Sequence, residues 1–244
     1  MTQIRGWPKG LGLVVHEQLD STNEEARRLA ANGERGPLWI VAREQTAGRG
    51  RRGRAWVSQR GNIFASLLTR AVAPSAAQLA FAAGLAVGDT VAQLAPNAQT
   101  TLKWPNDVLL NGKKAAGILL EALGEDALAI GIGINLIHCP EGTEFPAISI
   151  AQVTGSAPEF EDVLSRLAGD MAAWYEIWRE QGFAPVRTAW LARAGGLGRP
   201  IRARLEGSEM LGVFETIAED GALLLRQESG ALTRITAGEV FLIG

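Results

Sequence analysis

A single cysteine, Cys139, stands in 244 residues. No internal disulfide can form, and the chain suits a reducing compartment. Positive charge is not in excess: 24 Lys and Arg against 26 Asp and Glu leave a net charge of −2. That balance argues against general nucleic-acid binding, which usually goes with a basic domain. No long apolar run exists. The richest stretch, Leu79 to Leu94, is interrupted by Asp89 and Gln93 and falls short of the roughly 20 apolar residues a bilayer demands. The start, MTQIRGWPKGLGLVV, is broken by Gly and Pro and is no signal peptide. Repeats and low-complexity linkers are also missing. A cytoplasmic globular protein is expected, with no membrane or nucleic-acid partner. Its 47% of hydrophobic residues suffices for a sizeable core.

Strands are expected at 12–18 and 38–42 from their Val, Ile and Trp content. Between them Ser21-Thr22-Asn23-Glu24 has the form of a capping box, opening a helix to about Ala31 that Asn32-Gly33 stops. A strand follows at Asn62–Thr69, then a long helix from Ser75 with Gln78 as box partner. Asn111-Gly112 joins two apolar runs, Asp107–Leu110 and Ala115–Ala122, as a hairpin. Another strand is expected at Leu128–Leu136. Pro158–Gln181 is amphipathic, with Phe160, Val163, Leu164, Leu167, Met171, Trp174 and Trp178 at helical spacing; this stripe reads as core. From Gly198 the chain turns to short strands separated by Asp220-Gly221 and Ser229-Gly230. The expectation is therefore an α+β protein. Residues 1–195 form a mixed β-sheet packed with helices, and 196–244 a small β-barrel. That barrel is too small to hold a ligand slot, so the whole site is expected before position 140.

Three segments carry chemistry. In Gly48-Arg49-Gly50-Arg51-Arg52-Gly53-Arg54, followed by Trp56, four Arg fall within six positions. The glycines expose backbone N–H groups and let the chain fold over a polyanion. Arginine forks match phosphate and carboxylate oxygens two at a time. An RNA-binding RG tract is the rival reading, but such tracts sit in disordered tails and not between apolar strands. In Lys103-Trp104-Pro105-Asn106-Asp107, the last two residues sit at a strand entry. There they suit a ribose, a metal, a neighbouring cation or a plain Asx turn. The third segment pairs Lys113-Lys114-Ala115-Ala116-Gly117 with Gly131-Ile132-Gly133-Ile134-Asn135. Period-2 alternation puts Gly131, Gly133 and Asn135 on one face, leaving room for a ligand or for close packing. An apolar slot beside clustered cations suits an acid with an apolar body that must meet a nucleotide phosphate.

At these residues the sequence resembles the biotin–protein ligase family. The matching pieces are Ser21-Thr22-Asn23, Gln45 with GRGRRGR-x-W, KWPND, KxAGIL at Lys114, and GxGIN. The resemblance implies a biotin/lipoate-ligase fold of the class II synthetase kind with an SH3-like C-terminal domain. It implies that Ser21, Thr22 and Asn23 meet the biotin head group, helped by Gln45, Gly48, Gly117 and Gly131. Arg49, Gly50 and Arg51 would follow the carboxylate and phosphate, with Arg54 and Trp56 ordering over the adenylate. Lys114 would be the main cation on the reacting oxygens. Lys103, Asn106, Asp107 and Asn135 would serve ATP and its Mg²⁺. Asp107 is also the candidate acceptor of the proton shed when a carrier lysine attacks. The implied partner is the biotin carboxyl carrier domain of a biotin-dependent carboxylase, and the enzyme is expected as monomer or homodimer. A lipoyl or octanoyl transferase is the nearest alternative, but its apolar substrate does not need the Ser-Thr-Asn group. Only about 12 residues precede the first strand, so no operator-binding domain is expected.

Mutual Arg repulsion and the glycines favour a mobile 48–56 loop, which an anion would quiet. Trypsin is expected to cut between Arg49 and Arg54 readily in the free protein and much more slowly with biotin and ATP, as followed by mass spectrometry. Equal rates would show that the loop does not respond to ligand.

Overall fold

The computed structural model describes residues 4–70 and 75–243. The first three residues of the expected catalytic domain and the last of the barrel lie outside the described residues. Two sheets account for all named strands. The first is built from β1 (Gly12–His16), β2 (Leu38–Ala42), β3 (Ile63–Arg70), β4 (Thr100–Lys103), β5 (Asp107–Leu110), β6 (Lys113–Ala122) and β7 (Ala127–Ile134). Its order is β1-β2-β3-β7-β6-β5-β4. Only β1 and β2 run parallel; the other neighbours are antiparallel, so the sheet is mixed as expected.

The hairpin signal works because Asn111 and Gly112 both adopt positive φ, 50° and 75°. This is the left-handed pair that a two-residue turn between twisted strands requires. Along β3, alternation sends Ile63, Ala65 and Leu67 into the main core and Phe64, Ser66 and Leu68 to the opposite face. Both faces are covered, which explains why the strand reads as an almost unbroken apolar run.

Helix α1 (Thr22–Ala31) lies on β2, β3 and β7 on the second face. It begins where expected, but the capping box does not form. Ser21 makes no side-chain cap; its N–H donates to Asp20 Oδ1 at 2.7 Å, and Glu24 pairs instead with Arg49 and, at 3.5 Å, Arg27. On the first face lie α2 (Leu79–Leu94), α4 (Phe160–Gln181) and α5 (Phe183–Leu191), with the short α3 (Ile150–Thr154) preceding α4. Residues 75–78 form a 3-10 turn rather than the first turn of α2, and the Gln78 side chain bonds Glu219 O and the Trp178 indole. The helix α4 stripe is core as expected, with Val163, Leu164, Leu167 and Met171 fully enclosed. None of the helices among the described residues is long and apolar enough to cross a membrane.

The second sheet is antiparallel, in the order β11-β10-β9-β8-β12, from β8 (Pro200–Arg204), β9 (Glu209–Ile217), β10 (Leu223–Arg226), β11 (Leu232–Ile235) and β12 (Glu239–Leu242). It matches the expected SH3-like unit. It does not stand apart. Phe214, Ile217, Leu223 and Val240 belong to the same buried cluster as Trp39 and Leu85. Trp190 joins the two, with ring centroids 5.2 Å from Phe81 and 6.4 Å from Phe214. Trp104 donates its indole N–H to Gly221 O at 3.0 Å.

A shared core makes the two sheets unfold together. Phe214→Ala removes a fully buried ring and is expected to cost about 3–5 kcal/mol. In urea, far-UV dichroism and tryptophan fluorescence should shift to one common, lower midpoint. Two separated transitions would show that the sheets are independent.

Candidate active site

A cavity of about 460 Å³ opens on the second face of the large sheet, a size suited to a small-molecule ligand. One end is formed by the start of α1. Ser21, Thr22 and Asn23 are each about 95% buried there. Gln45 turns its Oε1 to the Thr22 N–H at 2.8 Å and its Nε2 to Ser58 Oγ at 2.9 Å. This end is polar but uncharged.

The floor is glycine because side chains must descend onto it. A Cβ on Gly131 would lie 2.5 Å from Asn23 Oδ1, and one on Gly133 would lie 2.6 Å from the Trp56 indole. Gly117 lies beside the same indole and the Lys114 side chain, its hypothetical Cβ 3.1 and 3.2 Å from them. Alternation therefore kept these positions bare for close packing by the protein's own groups. Gly48 lines no part of the cavity; it is buried where a Cβ would meet Ser58 Oγ at 2.4 Å.

The Gly-Arg loop folds into a small closed bracket. Gly50 N donates to Arg54 O at 2.7 Å and Trp56 N to Gly48 O at 2.9 Å, around a 3-10 turn at Arg51–Gly53. Its arginines diverge. Arg49 pairs with Glu24 on α1, and Arg54 with Glu239 on β12 at 2.5 Å. Arg51 reaches Gly238 O at 3.1 Å and Asn106 Oδ1 at 3.4 Å. Burial pulls the Arg51 pKa below its ordinary value, against the attraction of Asp107. The Glu239 hydrogen bond raises that of Arg54. Arg52 is exposed.

Charge concentrates at the other end. Asp107 Oδ1 is 2.6 Å from Lys114 Nζ, and its Oδ2 is 3.5 Å from Lys103 Nζ. Lys103 is only 6% exposed and sits 3.9 Å above the Phe145 ring. Burial is the main influence on it and draws its ammonium below the usual range, with Asp107 opposing. Lys113 is exposed while Lys114 turns to the cavity, as strand alternation requires. A register shift between Val108 and Leu109 adjusts this pairing. Two amides brace the cluster from below. Asn106 Nδ2 donates to Ile118 O at 2.5 Å, and Asn135 Nδ2 lies 3.3 Å from both Lys114 O and Ile148 O.

Sequence reasoning missed part of the wall. Phe145 comes from the segment after β7, and Glu239 and Phe241 come from β12. The expectation that every site residue precedes position 140 is therefore wrong, because the small sheet closes the charged end. Phe241 stacks beneath Arg204 and Arg202, at 4.6 and 4.8 Å. The only available signal was alternation in Glu239-Val240-Phe241, which puts an acid and an aromatic on one face. Among the described residues no cluster of three or more His, Cys, Asp or Glu side chains could hold a metal. Asp107 and Glu239 are already matched by cations. A resident metal does not fit this donor set.

Residues 15–136 match the biotin/lipoate A/B protein ligase family, and 196–243 match the biotin protein ligase C-terminal domain. A biotin–[acetyl-CoA-carboxylase] ligase of Paracoccus denitrificans is 47% identical over 92% of this chain and 98% of its own length. The bifunctional ligase/repressor BirA of Escherichia coli is 31% identical over 98% of this chain and 77% of its own. Among solved structures, the biotin protein ligase from Aquifex aeolicus in complex with biotin and ATP superimposes with a TM-score of 0.82. It has 29% identity and covers 95% of this chain and 98% of its own. Likeness over nearly the whole chain settles the family: the chain belongs to the biotin/lipoate A/B protein ligase family, as a biotin–protein ligase.

Proposed function

We propose that this chain activates biotin with ATP and passes it to a lysine of a carboxylase carrier domain. The observation that carries this is the two-ended cavity, neutral and polar at Thr22, Asn23 and Gln45, cationic at Lys103 and Lys114. Biotin has a polar ureido ring, an apolar body and a carboxylate, in that order. An octanoyl chain would leave the buried hydroxyl and amide groups of the first end without partners. The relatives' names and the bound molecules of the Aquifex protein point the same way.

In the first step a biotin carboxylate oxygen attacks the α-phosphorus, and the bond to pyrophosphate breaks. Two anions approach, so cations placed in advance lower the barrier. Lys114 and Arg51 serve this need, Arg49 and Arg54 follow the loop over the phosphates, and Trp56 covers the adenylate. Lys103, Asn106 and Asn135 hold the nucleotide end. Mg²⁺ would belong to the ATP substrate, since it keeps several waters and binds through substrate phosphates rather than a dedicated protein site. In the second step a neutral carrier amine attacks the acyl carbon, the acyl–phosphate bond breaks and AMP leaves, and the proton shed by the new amide nitrogen passes to water. Asp107, expected as the proton acceptor, already directs both its oxygens at ammonium groups, Lys114 at 2.6 Å and Lys103 at 3.5 Å. Its better role is to hold Lys103 and Lys114 apart and aimed. Pyrophosphate release with ATP and biotin, but not with ATP and octanoate, tests the reading as a whole.

Lys114→Ala is expected to lower kcat for adenylate formation about 10²–10³-fold with little change in ATP affinity. Lys113→Ala should be nearly silent. Arg51→Ala should resemble Lys114→Ala, and the double variant should fall short of additivity because both act on one developing charge. Steady-state pyrophosphate release decides this; an essential Lys113 with a dispensable Lys114 would refute the assignment.

A further inference from the structure

Behind the neutral wall of the slot lies one hydroxyl without a role in the chemistry above. Ser66 sits on β3 between Phe64 and Leu68 and is completely buried. Its Oγ lies 2.7 Å from Thr22 Oγ1 and 2.6 Å from Asn23 Oδ1. A hydroxyl has one hydrogen and an amide oxygen has none. Ser66 must therefore donate to Asn23. The hydrogen between the two hydroxyl oxygens must then come from Thr22, since oxygens that close repel without one.

Asn23 is oriented from its other side. Its Nδ2 donates to Glu121 Oε2 at 2.7 Å and to Leu119 O at 3.3 Å. A carboxylate only accepts, so a reversed amide would set oxygen against oxygen. Glu121 is itself steadied by Arg27 at 3.6 Å. In the other direction Gln45 Oε1 accepts the Thr22 N–H at 2.8 Å and lies 3.2 Å from Thr22 Oγ1. That second contact is longer than the 2.7 Å one between Thr22 Oγ1 and Ser66, so the single Thr22 hydroxyl hydrogen goes to Ser66 and Gln45 Nε2 donates to Ser58 Oγ. With Asn23 Oδ1 held against Ser66, the polarity of this relay is set at the Glu121 end, and the shorter of the two Thr22 hydroxyl contacts takes its hydrogen.

We infer that Ser66 and Glu121 are positioning residues that determine which acid the enzyme accepts. They spend the Thr22 hydroxyl hydrogen on Ser66 and so present Thr22 Oγ1 to the slot only as an acceptor. The wall then demands a head group that donates N–H. The ureido ring of biotin does; the dithiolane of lipoate and the alkyl end of octanoate do not. This rests on the assignment of that wall to the biotin head group. Neither residue touches the reacting atoms, so both act through Thr22 and Asn23.

Ser66→Ala and the nearly isosteric Glu121→Gln test it. The glutamine can donate as well as accept and frees the Asn23 amide to turn. Calorimetry should show biotin Kd rising about 5- to 150-fold in each variant, the range expected when a buried polar group loses its partner. The KM for ATP, pyrophosphate release with lipoate, and the melting temperature should stay near wild type. The double variant should lose less than the product of the two, because both break one relay. Folded variants that bind biotin like the wild type would overturn the relay. So would a joint decline of biotin binding, ATP KM and melting temperature, which would mark plain structural damage. A wild-type chain that takes up no biotin would instead overturn the functional reading on which the relay rests.

Discussion

Cations that stabilise a meeting of two anions must first tolerate one another, and here a single carboxylate makes that possible. Asp107 stands between Lys114 and Lys103, at 2.6 and 3.5 Å. Much else follows from keeping these three groups in register. The Asn111-Gly112 turn returns the chain so that Lys114, opposite Leu109, reaches diagonally to Asp107 on the neighbouring strand. Asn106 and Asn135 pin the backbones on either side. Phe145 and the aromatic ring of β12 screen Lys103 from water. Removing one partner from such a cluster leaves buried charge uncompensated, which is more damaging than the pair's net worth suggests.

The Gly-Arg loop obeys the same need for counter-charge. Its three inward or lateral arginines are each parked on an acceptor: Glu24, the Gly238 carbonyl and Glu239. The outer pairs, from Arg49 and Arg54, keep their guanidinium side about half exposed to water, and pairs open to solvent hold weakly, on the order of 1 kcal/mol or less. They can be exchanged for substrate oxygens at small cost. The loop is thus held in the free protein without being locked.

Local signals were legible in the sequence; contacts between distant segments were not. The Arg cluster, KWPND and the parity of Lys113 and Lys114 could be read because their meaning lies within a few residues. The main strands and the α4 stripe were visible for the same reason. Thr100–Lys103 was not recognised as a strand, being four residues long, and α5 was hidden behind the Gly182 stop. Ser21 and Glu24 formed a plausible cap in isolation, but Asp20 and Arg49 outcompete it. Glu239 and Phe241 were missed because nothing near them in the chain shows that they close a wall beside Lys103. Ser66 looked like one more residue of an apolar strand, and its importance appears only when Thr22 and Asn23 are laid over it.

The wall supplied by β12 also has a consequence in time. Lys114 and Glu239 are 125 positions apart in the sequence, and translation at roughly 5–20 residues per second separates them by about 6–25 s. During that interval the cation cluster has Asp107 but neither the acid nor the ring that later encloses it. Until β12 docks, the charged end of the cavity lacks the wall that Glu239 and Phe241 supply and stands open to water.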